Sequence, residues 1–285
     1  MLWENLREPE FKESVKISKG VCAVPIGCLE RHGPHAPLGT DTIIAAGVAA
    51  AAAEIEPVVV FPTMFFGDKT GTRDWAGHVI FSLETRWAIF KETCNEIYRN
   101  GFNKIIFCNG HGGNTPMLGT FTRAMMQENP NVMTFVRSTS ADCSGAANMQ
   151  ALLDDKEHFQ YLTAEDRAAM QDFIDKKKVT GHACFSETAR AYAFRPETVR
   201  LDLINSESGD SIHRFDELTN RKISSPYAWM ADYPNSYTGA NDYVLNERIA
   251  KAMAEKAAMG LAEVFKFLKE ETITNEYQAE WIKKQ

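Results

Sequence analysis

Apolar and polar positions along the 285-residue chain fall into two alternating rhythms. Val21 to Gly27 is a short, nearly unbroken apolar run, the mark of a strand buried on both faces. A Gly/Pro-rich loop follows it, then a helical stretch that opens near Asp41 and runs to about Glu56. The βα pattern returns. Val58 to Phe66 reads as a strand, Ser82 to Asn100 as an amphipathic helix closed by Gly101, and Lys104 to Cys108 as another apolar strand; a third helix begins near Thr115. Asn131 to Arg137 completes the alternation. Strands separated by helices predict an α/β fold, a three-layer αβα sandwich around a largely parallel sheet, with function at the strand carboxyl ends.

Ser140 to Thr180 is polar and helical with few aromatics, which predicts a helical insertion around 140–180 over one sheet edge, within a single domain spanning 1–285. Apolar residues at helical spacing from Asp242 to Glu270, among them Leu245, Ile249, Met253, Leu261 and Phe265, predict a core helix. The tail carrying Tyr277 and Trp281 is read either as a surface tail or as an element docking on a neighbouring subunit.

Composition narrows the classes. With 44% hydrophobic and 24% charged residues the chain can bury a large core unaided, so a metal here would serve chemistry. A net charge of −7 without a basic stripe argues against nucleic acid. The one basic block, Lys176 to Lys178, is read as a solvated helix end rather than a phosphate contact. Six cysteines without a C-x-x-C pair, no signal-like start and no membrane-length apolar run predict reduced thiols and a cytoplasmic location.

Three clusters carry candidate chemistry. In Gly27 to His35, at the end of the first strand, alternate side chains of an extended segment share a side, so Glu30 and His32 can offer a carboxylate oxygen and an imidazole nitrogen to one divalent ion. Asp41, nine residues on, is either the cap of the next helix or, with Thr40 or Thr42 capping instead, a bridging ligand. In Asn109 to Asn114, three glycines around His111 permit positive φ and close approach, holding the ring outward at the sheet edge; an incidental histidine in a glycine turn is the alternative. In Gly181 to Thr188 the candidates are His182 and Glu187, with a surface histidine and a dipole-favoured first-turn acid as the plain readings. His35 is expected to brace the first loop, while His78, His158 and His213 receive no role. H-E-x-x-H, G-x-S-x-G and Walker patterns are all missing.

Together these clusters resemble the creatininase (creatinine amidohydrolase) family, whose pattern runs approximately E-x-H-G-P-H-x-P-L-G-T-D, N-G-H-x-x-N and G-H-A-x-x-x-E-T. The match covers Glu30 to Asp41, Asn109 to Asn114 and Gly181 to Thr188, in order. The resemblance implies that Glu30 and His111 hold one metal and His32 and Glu187 another, with Asp41 bridging and His182 as acid/base histidine. It further implies zinc or manganese, with iron an option, one or two ions per subunit, a small-molecule substrate and a homo-oligomer, commonly a hexamer. Two positions depart from the pattern. Gly113 stands where creatininases proper carry a metal-binding glutamate, implying a more open first site, and Thr115 to Gly181 lacks the tryptophans that close over their substrate.

The expected activity is metal-dependent hydrolysis of a non-peptide C–N bond in a cyclic amide or formamide by a metal-bound hydroxide. Coordination lowers the pKa of water from about 15.7 to about 7. A formylamino-pyrimidine deformylase or a peptide-trimming member of the same family is the alternative among enzymes, and a non-catalytic metal-dependent binding protein the alternative outside them.

Overall fold

The computed structural model describes residues 1–69, 74–178 and 180–284. Its centre is a four-stranded sheet of order β2-β1-β3-β4, built from β1 (Val21–Ile26), β2 (Val59–Val60), β3 (Lys104–Asn109) and β4 (Met133–Ser138). Every pairing is parallel, with Val21 opposite Lys104 and Ile26 opposite Asn109 in β1 and β3. β1 and β3 are buried at all positions, because helices cover both faces. The period of two divides their side chains. Val21, Ala23, Ile106 and Cys108 point into one core with α2 (Thr40–Ile55), α7 (Phe185–Phe194) and α10 (Glu247–Glu270). Cys22, Val24, Ile105 and Phe107 point into the other with α1 (Glu8–Ile17), α3 (Leu83–Arg99) and α4 (Thr115–Glu128). The expected αβα layering is therefore what the chain forms.

Within the 140–180 stretch lie α5 (Ala146–Asp154) and α6 (Ala164–Asp175), whose Met149, Leu152, Met170 and Phe173 join the core of α2, α7 and α10. Lys176 pairs with Asp172 one turn back and Lys178 with Asp242, so the basic block is tied to acids. Two short helices, α8 (Asp216–Asn220) and α9 (Ala228–Asp232), precede α10.

Two elements differ from expectation, and the tail, left open between two readings, forms a surface helix. The second strand is short: Pro57 and Pro62 flank it, and a proline has no N–H for the ladder. The chain nevertheless stays beside β1, through Phe61 N to Ala23 O and an isolated bridge between Ile26 and Met64. The core helix starts at Glu247, not Asp242, because the Asn246 side chain caps it by accepting from Ile249 N. The tail forms α11 (Ile273–Lys284) against its own chain, where Gln278 donates to Pro130 O and Tyr277 and Trp281 face Val132 and Phe135 at the β4 edge. All six cysteines are buried and free. Among the described residues no helix is long and apolar enough to cross a membrane.

Candidate metal centre

The carboxyl ends of the neighbouring strands β1 and β3 open onto the loops that carry Glu30, His32 and His111, the place where open parallel sheets bind ligands. Asp41 comes from the first turn of α2 and Glu187 from the first turn of α7. Close backbone approach makes this possible. A Cβ on Gly110 would lie 2.4 Å from Asp41 O, so only glycine lets the β3 end meet the α2 start. None of Gly110, Gly112 and Gly113 has positive φ, so of the two reasons offered for these glycines close approach is the one that holds, at Gly110 and Gly113, while a Cβ on Gly112 would meet nothing within 4 Å.

All five proposed ligands meet. His111 Nδ1 is 2.8 Å from Glu30 Oε1 and 2.9 Å from Asp41 Oδ2. His32 Nε2 is 3.1 Å from the other Asp41 oxygen and 3.6 Å from Glu187 Oε2. His182 Nδ1 stands 3.6 Å from Glu30 Oε1 and 3.9 Å from Glu187 Oε2. Asp41 is thus common to two donor groups, Cys28/Glu30/Asp41/His111 and His32/Asp41/Glu187, in each of which the ligand atoms lie within 4.8 Å of one another. The plain reading of Asp41 as a helix cap fails: α2 has no side-chain cap, and Thr40 and Thr42 bond to the carbonyls of Pro37 and Cys28 instead. Glu187 does both jobs, accepting from Ala183 N at 2.7 Å while facing His32.

The outer ring nitrogens are equally ordered. His32 Nδ1 donates to Glu30 O, His111 Nε2 to Asp68 O and His182 Nε2 to Arg31 O, at 3.1, 2.8 and 2.7 Å. A carbonyl only accepts, so the far nitrogen of each ring carries a proton, and in all three the other nitrogen faces the carboxylates. Backbone-anchored imidazoles of this kind are what metal sites use to orient their histidines. The two Glu30 oxygens are wholly buried yet form no regular hydrogen bond, being met only by ion-pair contacts. That carboxylate is placed for a cation.

Protonation follows from this crowding. Burial pushes the His182 ring down to about 3, so it is neutral. Burial also disfavours a charged His32, but the adjacent Asp41 outweighs it and raises the ring to about 9; His111 is likewise raised, by Glu30 among others, against its burial. Burial opposes an ionised Glu30, yet the neighbouring His182 and His111 imidazoles outweigh it and hold the carboxyl down at about 2. Glu187 moves the other way, to about 7, through burial and repulsion by Asp41.

Several neighbours were not foreseen from sequence. Cys28 donates to Asp41 Oδ2 at 3.2 Å. Lys69 Nζ contacts Glu30 Oε2 and lies 4.3 Å from the Trp229 ring centroid, and that indole meets His182 edge-on. Nothing local marks Lys69 or Trp229, since distant segments bring them in. His35, expected to brace the loop, bonds to Ala183 O and Thr188 Oγ1 and so ties the first cluster to the third. His78 accepts from Arg31 N, whereas His158 and His213 are exposed. At Gly113, which lines the cavity over the centre, a Cβ would stand 2.3 Å from His111 Nε2 and 2.9 Å from Asp68 O, so the ring and that carbonyl occupy the space a side chain would need.

Fold and site together define an α/β protein with a buried histidine–carboxylate centre at parallel strand ends. The chain matches the creatininase family, described as creatinine amidohydrolase, over residues 4–265, and it belongs to that family. It is similar to the mycofactocin precursor peptide peptidase of Mycolicibacterium smegmatis, 32% identical over 111 residues covering 37% of this chain and 44% of that protein. It is also similar to the creatinine amidohydrolase of Pseudomonas putida, 25% identical over 111 residues covering 37% of this chain and 43% of that one. The matched stretch spans less than half the length of these curated relatives. A solved creatinine amidohydrolase (creatininase) has the same fold at a TM-score of 0.68 and 17% identity, covering 95% of this chain and 98% of its own; related structures include a manganese form and a zinc–zinc form of a variant.

Proposed function

We propose that the protein is a divalent-metal-dependent amidohydrolase, with Glu30 and His111 serving one ion, His32 and Glu187 a second, and Asp41 both. The observation that carries this reading is the set of three imidazoles, each fixed through its far nitrogen by a backbone carbonyl and each turned toward buried carboxylates. Mixed imidazole and carboxylate donors suit zinc and manganese, and solved creatininases of this fold include both kinds. A metal held here lowers the pKa of water to about 7 and polarises a carbonyl.

The chain's own residues do the rest. His182, neutral and anchored to Arg31 O, presents Nδ1 to the reacting space; it takes up a proton there and returns it to the departing nitrogen, which amide cleavage requires. Trp229, Met230, Pro116 and Pro226 line a cavity of about 670 Å³ over the centre and limit water around the bond to be broken.

The substrate class is a non-peptide C–N bond, in a cyclic amide or formamide. The peptidase name of the mycobacterial relatives and the generous cavity favour short peptides as a second reading. Metal analysis of the purified protein, joined to a screen of creatinine, lactams, formamides and short peptides with and without chelator, tests both. Turnover of one class, lost on chelation and restored by zinc or manganese, is the expected result; a protein free of bound metal, or turnover indifferent to chelator, refutes it.

A further inference from the structure

Outside the histidine–carboxylate cluster, the described lining of the cavity is mostly apolar: Pro116, Pro226, Trp229 and Met230, with Gly112 and Gly113 on the floor. Its volume lies within the range of about 300–1,000 Å³ used for drug-sized ligands. Lys69 is the one lysine or arginine among the described lining residues. Its side chain is 12% exposed, with the ammonium held between Glu30 Oε2 and the face of Trp229. The neighbouring Asp68 carboxylate pairs with Arg86 at 3.0 Å.

Glu30 is therefore asked to serve two cations. A metal on Glu30 and an ammonium on the same carboxylate would repel one another across a few ångströms of low-dielectric interior, so a metal held there would displace Lys69 from Glu30 toward the cavity. An ammonium on a flexible stem, half-enclosed by an indole and deprived of its anion, is a binding point for a substrate anion.

We propose that Lys69 reads a carboxylate on the substrate, so that the protein selects amides carrying a free carboxylate beside an apolar portion. This rests on the metal-centre reading, because the metal is what frees the lysine. A charge-assisted hydrogen bond of this kind corresponds to roughly 10- to 100-fold in affinity.

The probes are acetyl-leucyl-leucine and its C-terminal carboxamide, which differ only in that charge. Binding is measured by titration calorimetry on zinc-loaded protein, for wild type, Lys69→Met and Lys69→Arg, with zinc content determined on the same samples. The expected result is a preference of about tenfold or more for the carboxylate in wild type, its loss to within about twofold in Lys69→Met, and partial retention in Lys69→Arg. Equal affinities in zinc-loaded wild type, no binding of the carboxylate probe, or a preference that survives in Lys69→Met overturns the role of Lys69. A sample that takes up no zinc fails the metal-centre reading by analysis alone, whereas equal affinities in a sample that has taken up zinc overturn the role of Lys69 and leave that reading standing. Because binding is read without turnover, selective binding with no hydrolysis supports Lys69 while counting against the amidohydrolase reading.

Discussion

Replacing Asp41 by asparagine removes one charge and almost no volume. The carboxylate is wholly buried and touches His32 at 3.1 Å, His111 at 2.9 Å and Cys28 at 3.2 Å. It also belongs to both the Cys28/Glu30/Asp41/His111 and the His32/Asp41/Glu187 donor groups. Changing a group that merely orients a metal ligand costs about 10- to 100-fold in affinity. Removing a charge that serves both ions should cost at least the upper figure at each. At free zinc 100 times the wild-type Kd, binding stabilises the fold by about 2.7 kcal/mol. A 100-fold weaker site at the same zinc concentration contributes only about 0.4 kcal/mol. The difference, about 2.3 kcal/mol for each ion, corresponds to a loss of about 4 °C per ion in the zinc-induced rise of Tm for a chain of this size. Thermal unfolding of chelated and zinc-loaded samples, with zinc counted on the same protein, measures it. Unchanged zinc content together with an unchanged thermal shift in Asp41→Asn would refute the shared-ligand reasoning.

Three further outcomes are expected. His182→Ala should lower kcat about 10²- to 10⁴-fold on whichever amide the substrate screen identifies while zinc stays bound; wild-type turnover in that variant removes His182 from the chemistry. Gly113→Ala should drive the new methyl against His111 and weaken zinc binding about tenfold or more, measured by equilibrium dialysis, and unaltered affinity would show that the ring yields freely. Lys104→Met leaves the Glu271 carboxylate, 5% exposed and 2.5 Å from Lys104 Nζ, without its cation and with only Thr274 donating to it, which should cost about 3 kcal/mol in urea unfolding. Burial acts against ionisation of Glu271, but Lys104 and Thr274 outweigh it and hold the carboxyl below its ordinary value of 4.5. Its contribution is therefore full above that value and lost as pH falls through the lowered one. The gap between wild type and Lys104→Met should accordingly narrow in acid, and a gap independent of pH contradicts the pairing.

Much of this protein was legible in the order of its residues. β1 and β3 were readable because a strand covered on both faces must be apolar throughout, and the α2 and α3 boundaries because apolar spacing and terminal signals mark them locally. Candidate ligands could be named because Glu30, His32, Asp41, His111 and Glu187 sit in motifs whose glycines and prolines make no sense as core. Motifs do not contain distances. That His111 and Asp41 stand 2.9 Å apart depends on β3 lying beside β1 and on a glycine at position 110. That Asp41 does not cap α2 but faces His32 and His111 was undecidable from the residues alone. Lys69 and Trp229 were invisible for the same reason: 160 residues separate them, and only packing puts an ammonium against an indole above the shared carboxylates. Local pattern determines elements because backbone hydrogen bonding and side-chain period are short-range. A centre of several buried charges is decided by tertiary structure, since it forms only where chain segments remote in sequence exclude water together.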